Sequence, residues 1–323
     1  MRREDFAAPA GEAVSISSVG QRPWLALVNG FGLTLGDSLI GLQALHAAKT
    51  IGRFAGHDVV TFRLRPERSA IIAELYRRSP HITAVHAQPY HGIGRHPPDR
   101  FIDIRDFAFD PQFRGVAMID YFLRQLGVDP ADVPAALKRN GWLASRVALG
   151  APPLRPYILV CPCAAMAMRD MPEAAHRRIL EVLTASTDLP IVTQGTVPER
   201  FVGRVFPALA AGDLDALCRL VAGASLIVST DTAMVHLADA FSVRCLAFFT
   251  THRPEWRVRD YPYCDAIDLR APLPDALEFP RDEADVAAAH GAWFRAGGLD
   301  WLEPVIARML DLRFPSETLG ALG

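Results

Sequence analysis

The feature that most restricts this chain is a repeated alternation between short apolar runs and segments of helical periodicity. Trp24 to Asn29 reads as a strand, followed by the loop Gly30-Phe-Gly-Leu-Thr-Leu-Gly-Asp37 and a helix reaching about Ile51, with Leu39, Ile40, Leu42 and Leu45 among its apolar positions. Val59 to Leu64 and Ile82 to His86 read as further strands with Ser69 to Arg77 helical between them, and Arg100 to Ile104 adds another. The second half repeats the pattern: strand Tyr157 to Cys161, helix 172–184, strand 190–193, helix 213–222, strand 225–228, helix 232–240 and strand 243–249. Alternation of this kind predicts an α/β fold, with parallel sheets covered by helices. The run Leu149-Gly-Ala-Pro-Pro-Leu-Arg-Pro156 interrupts it and marks a boundary between domains 1–150 and 151–323. Trp301 to Leu312 has helix-compatible apolar spacing, and this terminal helix is expected to pack back on the first domain.

Within the second half, the segment Ser225-Leu-Ile-Val-Ser-Thr-Asp-Thr-Ala-Met-Val-His-Leu-Ala-Asp239 passes from a buried strand to a helix across a polar junction. Met234, Leu237 and Ala238 share one helical face, and Ser229, Thr230 or Asp231 starts the helix. Backbone N–H groups of such a first turn can receive phosphate oxygens, and Asp231 can accept sugar hydroxyls. Equally, Asp231 can serve only as a helix cap and His236 only as a packed residue.

The chain has 323 residues, half of them hydrophobic, enough to build two cores. Its net charge of -2 gives no general attraction to nucleic acid or to anionic membranes, so an anionic ligand must be held by local groups. The opening MRREDFAAPAGEAVS lacks a continuous apolar stretch and no later segment approaches membrane-spanning length, which makes the cytoplasm the expected compartment, with no transmembrane segment. Cys161, Cys163, Cys218, Cys245 and Cys264 cannot all pair within one chain. Their spacing fits neither a disulfide framework nor a zinc site, so no metal is expected.

The pairing of Leu35-Gly-Asp-Ser-Leu-Ile-Gly-Leu-Gln-Ala-Leu45 with the distal Asp231-Thr-Ala-Met-Val-His-Leu-Ala238 resembles the ADP-heptose:lipopolysaccharide heptosyltransferases, glycosyltransferase family 9. The resemblance covers most of residues 22–270. It implies a GT-B arrangement, two Rossmann-like domains whose parallel sheets face a central cleft, with the acceptor mainly on the first domain and the nucleotide sugar mainly on the second. The family's Gly-Asp motif falls on Gly36-Asp37, which implies that Asp37 is the general base toward an acceptor hydroxyl. Gly30, Gly32 and Gly36 then let the acceptor-side loop turn closely. The alternative for Asp37 is a helix cap.

In the same family frame, Cys161-Pro-Cys-Ala-Ala-Met-Ala-Met-Arg-Asp-Met-Pro172 resembles a strand-to-loop region carrying a basic residue, which implies that Arg169 neutralises the diphosphate leaving group. Its alternative is a surface arginine paired with Asp170 or Glu173. The chain departs from the family pattern here: Met171 replaces the usual tryptophan, and alanines stand where a small hydroxyl residue is common. Asp231, Thr232 and Ala233 resemble the family's Asp-Ser/Thr-Gly turn, and His236 falls on its histidine position. This implies donor contacts from all four, with Ala233 in place of glycine. Phe248-Phe-Thr-Thr-His-Arg-Pro-Glu-Trp256 resembles the loop after the next strand, which implies phosphate contact from Thr250 or Thr251, with His252 or Arg253 completing the leaving-group environment; alternatively it is a surface loop anchored by Trp256. Gln194 and Gly195, following a strand, fall where a base or ribose would lie.

The expected activity is a metal-independent, inverting glycosyl transfer without cofactor, as in lipopolysaccharide biosynthesis. The donor is a nucleotide-diphosphate sugar, ADP-heptose by resemblance, and the acceptor a hydroxyl on a saccharide, glycolipid or protein. Two other readings fit the same residues: a nucleotide-sugar epimerase or hydrolase, and a non-catalytic nucleotide-sugar-binding or assembly protein.

Overall fold

The computed structural model describes residues 22–32, 34–63, 70–87, 97–104, 106–151, 156–209, 211–274, 277–294 and 298–311. The chain forms two compact units. The first comprises residues 1–149 together with 211–218 and 255–261, and the second the remainder.

In the first unit, β1 (Trp24–Val28) leads into α1 (Leu35–Thr50), β2 (Asp58–Arg63), α2 (Ala70–Arg78), β3 (Ala84–Ala87), β4 (Arg100–Asp103) and α3 (Met118–Gln125). The strands lie in the order β3-β2-β1-β4, all parallel. Trp24, Ala26, Val60 and Phe62 alternate onto one face of this sheet as a buried cluster, as the two-residue strand period requires. Helix α1 buries Leu39, Leu42 and Leu45, and also Ser38 and Gln43, so its buried surface is wider than an amphipathic stripe.

The second unit runs β5 (Tyr157–Cys161), α4 (Glu173–Ser186), β6 (Ile191–Thr193), β7 (Val205–Pro207), the end of α5 (Leu214–Ala222), whose residues up to Cys218 belong to the first unit, β8 (Ala224–Thr230), α6 (Ala233–Ala240), β9 (Cys245–Phe249), β10 (Cys264–Asp268), α7 (Glu283–Gly291) and α8 (Leu302–Asp311). Its six strands follow the order β10-β9-β8-β5-β6-β7, again all parallel. The chain builds outward from β5 through β6 and β7, then returns to the other side of β5 with β8, β9 and β10. This is the Rossmann order, and its switch point lies between β5 and β8. Strands Ile158–Val160, Leu226–Val228 and Leu246–Phe248 bury apolar side chains against α4, Trp293 and the terminal helix α8, whose Leu302, Ile306 and Met309 sit in this core. The terminal helix is therefore part of the second unit.

Every strand and helix read from the sequence is present, most with shifted ends; Leu64, Ser69 and Leu312, read as element ends, lie outside the described residues. Helix α3, the edge strands β7 and β10, and α7 were not expected. Strand β7 is three residues ending in proline, which an edge position tolerates, and β10 carries two aspartates with no residue fully buried. Neither has the continuous apolar run that marks a central parallel strand. Among the described residues, no helix is long and apolar enough to cross a membrane.

Candidate functional site

In the first unit, the loop after β1 is bent by consecutive left-handed backbone at Asn29 (φ 61°) and Gly30 (φ 59°), then again at Gly32 (φ 98°). A β-carbon on Gly30 would overlap the Tyr76 hydroxyl and stand 2.6 Å from Nη1 of Arg63, so glycine is needed there for close approach. Tyr76 in turn accepts the Phe31 N–H at 2.8 Å, and the Arg63 guanidinium lies over the Tyr76 ring and donates to the Gly32 carbonyl. The loop is thus fixed before it reaches α1.

Thr34 caps α1: its hydroxyl accepts the Asp37 N–H at 3.2 Å. The capping role left open for Asp37 belongs to Thr34, and Asp37 stands half-buried in the first turn, where the helix dipole favours a carboxylate. Its Oδ2 would be 3.0 Å from a β-carbon on Gly32, so the two residues face each other closely. Gly36 lies in the same turn of α1.

In the second unit, the carboxyl ends of β6, β5, β8 and β9 stand side by side. Ser229 and Thr230, expected to start the helix, are still strand, paired in the ladder with Ala247 and Phe248 of β9. The helix start therefore shifts to Thr232, whose hydroxyl accepts the Met234 N–H at 3.1 Å and pairs with Ser229 Oγ at 3.1 Å. Asp231, next to the cap, is nearly buried and turns elsewhere. Ala233 opens α6 without left-handed backbone, so the alanine strains nothing there. His236 is buried on α6.

Arg169, at the end of the loop after β5, reaches Asp231 after β8, with Nη1 3.4 Å from Oδ2. Asp231, which is not one of its sequence neighbours, is thus a carboxylate partner of Arg169. The loop itself is fastened at several points. Asp170 accepts the Ala164 N–H at 2.5 Å, Met171 N–H donates to Pro162 at 2.8 Å, Thr250 Oγ1 donates to the Met168 carbonyl at 2.9 Å, and Thr230 Oγ1 donates to the Arg169 carbonyl. Met171, where the family has tryptophan, is buried in the main core.

Thr250 was a candidate phosphate contact, but its one hydroxyl proton is committed to Met168, and a phosphate oxygen offers no proton in exchange. Thr251 instead lies 3.1 Å from Nδ1 of His252. His252 is fully buried: Nδ1 is 3.2 Å from Asp231 Oδ2, and Nε2 is 3.1 Å from Glu278 Oε1. Glu278 carried no sequence signal, and nothing in the sequence linked His252 to Asp231. Gln194 is exposed beyond β6, while Gly195 packs over His176, where a β-carbon would come within 2.8 Å of the imidazole. Burial pulls the His176 pKa down, which favours a neutral ring, and its Nε2 lies 3.0 Å from the Thr193 hydroxyl. Trp256 falls within the first unit.

The sequence model of glycosyltransferase family 9 (heptosyltransferase) matches residues 121–265, from α3 into β10. No curated protein matches the sequence. Among solved structures, Escherichia coli heptosyltransferase WaaC with ADP-2-deoxy-2-fluoro heptose is similar with a TM-score of 0.54 at 14% identity, over 79% of this chain and 95% of that one. The E. coli ADP-heptose LPS heptosyltransferase II gives 0.55 at 12% identity, over 83% and 98%. The fold is GT-B. TibC from enterotoxigenic E. coli H10407, described as an iron-containing dodecameric glycosyltransferase, shares this fold with a TM-score of 0.59 at 15% identity, over 95% of this chain and 81% of that one. At these identities the likeness is one of GT-B architecture. Among the described residues of this chain, no three His, Cys, Asp or Glu side chains gather as a metal-binding group.

Proposed function

We propose that this chain is an inverting glycosyltransferase that moves a sugar from a nucleoside-diphosphate donor to an acceptor hydroxyl. The observation that carries this reading is the meeting of Arg169 and Asp231 at the switch point of a Rossmann sheet, where dinucleotide and nucleotide ligands bind in folds of this order. Arg169 is suited to a diphosphate because its planar guanidinium matches two oxygens at once. The first N–H groups of α6, with Thr232 and Ala233, add positive potential on the same side, and the Asp231 carboxylate accepts sugar or ribose hydroxyls. Gln194 and Gly195 attend the base or ribose, Thr251 the phosphates, and His236 and Thr250 hold the donor-binding loops. In the transfer step the acceptor oxygen attacks the anomeric carbon and its proton passes to Asp37. The carbon–oxygen bond to phosphate breaks on the opposite side, and the nucleoside diphosphate leaves with the electron pair. The charge it gains is met by Arg169 and the α6 backbone, which asks for no divalent ion.

The proposed donor is ADP-heptose, because two of the similar structures are named for heptose and ADP; the corresponding setting is lipopolysaccharide biosynthesis. Calorimetry with ADP, UDP, GDP and ADP-heptose tests the donor. Donor consumption is then followed with and without saccharide, glycolipid and protein acceptors. The expected result is acceptor-dependent consumption that falls in Arg169→Ala and recovers only in part in Arg169→Lys. Acceptor-independent turnover would make the chain an epimerase or hydrolase, and binding without turnover a nucleotide-sugar-binding protein. Failure to bind any nucleoside diphosphate or its sugar overturns the proposal.

A further inference from the structure

Four ionisable side chains stand in a row in the second unit, Glu278, His252, Asp231 and Arg169, with the two inner ones buried and the two ends half-buried. They alternate in the sign of charge they can carry. A single oxygen, Oδ2 of Asp231, faces both the Arg169 guanidinium at 3.4 Å and the His252 ring at 3.2 Å. The other ring nitrogen of His252 faces Glu278 at 3.1 Å. Of the forms of imidazole, only the doubly protonated one donates to a carboxylate at each nitrogen. Such a ring gives Asp231 a second cation, independent of Arg169.

This matters because Arg169 cannot serve two anions equally. A diphosphate that engages the guanidinium draws it from Asp231, and a carboxylate with so little exposure is strongly disfavoured without a compensating cation. We infer that His252 and Glu278 form a positioning pair that holds Asp231 in place, charged, while Arg169 turns from Asp231 to the donor diphosphate. In the empty protein the carboxylate of Asp231 occupies the guanidinium in place of phosphate; with donor bound, the imidazole takes over from the guanidinium beside it. This inference rests on the glycosyl-donor reading of the site. Neither His252 nor Glu278 touches the reacting atoms in this scheme; both act through Asp231.

The test is a double-mutant binding cycle with ADP, which carries the diphosphate that engages Arg169. Replacing His252 by Gln removes the cation, makes Asp231 more dependent on Arg169, and should weaken ADP binding about 10-fold, the scale of one charge-assisted hydrogen bond. In an Asp231→Asn background the Asp231 carboxylate no longer competes for Arg169, so the same His252→Gln change should cost no more than about 2-fold, measured against Asp231→Asn itself. Glu278→Gln, a milder change at the less buried end of the row, should follow the same pattern with a smaller loss. It keeps the test alive if His252→Gln does not fold. In the wild type, 15N spectra of the His252 ring should show both nitrogens protonated with ADP bound. Equal losses with and without the Asp231 carboxylate, or a neutral ring in the ADP complex, overturn the inference while leaving the donor reading intact. Absence of ADP and ADP-sugar binding by the wild type overturns the donor reading and this inference with it.

Discussion

At the scale of single residues, the candidate base is held by what Gly32 lacks. A methyl group there would come within 2.8 Å of the Phe107 ring and 3.0 Å of Asp37 Oδ2, at a backbone φ of 98° that alanine adopts only with strain. Gly32→Ala is expected to lower stability by about 1–3 kcal/mol and to displace the Asp37 carboxylate. Urea unfolding and single-turnover transfer read the two effects separately. Asp37→Asn keeps the shape and the Thr34 cap but cannot take the proton, so transfer should fall by about 100- to 10,000-fold while ADP affinity stays near that of the wild type. Near-normal transfer by that variant would remove Asp37 from the mechanism. The importance of this loop was legible because three glycines surround one aspartate within a few residues. The partner of Arg169 was not legible, since Asp231 lies 62 residues further on and only the adjacency of β5 and β8 brings the two together.

At the scale of elements, the loop after β5 is shaped by its neighbours more than by its own sequence. The alanines and methionines of 164–168 offer no side-chain hydrogen bonds, and order comes from the Thr230 and Thr250 hydroxyls, which donate to the Arg169 and Met168 carbonyls. Thr250→Val keeps the shape and leaves the buried Met168 carbonyl without that donor, at a cost of about 1–3 kcal/mol. The same change should raise the donor KM by loosening the backbone next to Arg169. A variant with normal stability and normal KM would show that the loop is held by other means. Central strands were readable because continuous burial demands continuous apolar sequence; the edge strands β7 and β10, which lack that demand, were not.

A second element-scale contact links α1 to the turn after α2. His46 Nδ1 lies 3.0 Å from His81 Nε2, a bond that survives only while at least one of the facing nitrogens is unprotonated. Burial, aided by the charge of neighbouring groups, holds the His81 pKa down at about 4 and lowers that of His46. Because the unfolded chain takes up protons near pH 6.5 and the folded one does so only at lower pH, this contribution to stability is present above about pH 6.5. It is lost as the pH falls toward 4. The half-buried rings are partly screened by solvent, so the loss is of order 1 kcal/mol. The urea midpoint should therefore drop between pH 7 and pH 4.5 by more in the wild type than in His81→Asn. Parallel pH profiles for the two proteins would show that the pair does not titrate on unfolding.

At the scale of the molecule, the alternating pattern predicted two α/β sheets, and two Rossmann-like sheets are present, but the chain's assignment to units is less simple than one cut. Residues 211–218 and 255–261 belong to the first unit, and they add polar partners to residues within 1–149. Asp215 receives Arg78 through Nη1 at 2.7 Å and Nη2 at 3.0 Å and also accepts the Ala148 N–H. Arg259 grips Asp120 through two bonds, and the Tyr261 hydroxyl accepts the buried Asn140 amide at 2.7 Å. A fragment ending at Leu149 would retain its sheet but lose all three partners. Arg78 keeps Glu74 and Asp120 keeps Lys138, so each lost contact is worth about 0.5–1.5 kcal/mol, and three such losses still take a sizeable share of the 5–15 kcal/mol that holds a typical domain together. The fragment is therefore expected to show a broad, early unfolding transition and fast amide exchange in β1, where the intact chain shows protection. A fragment with the urea midpoint and β1 protection of the full chain would mean that residues 1–149 need nothing from the later segments, and that the interleaving is incidental to stability.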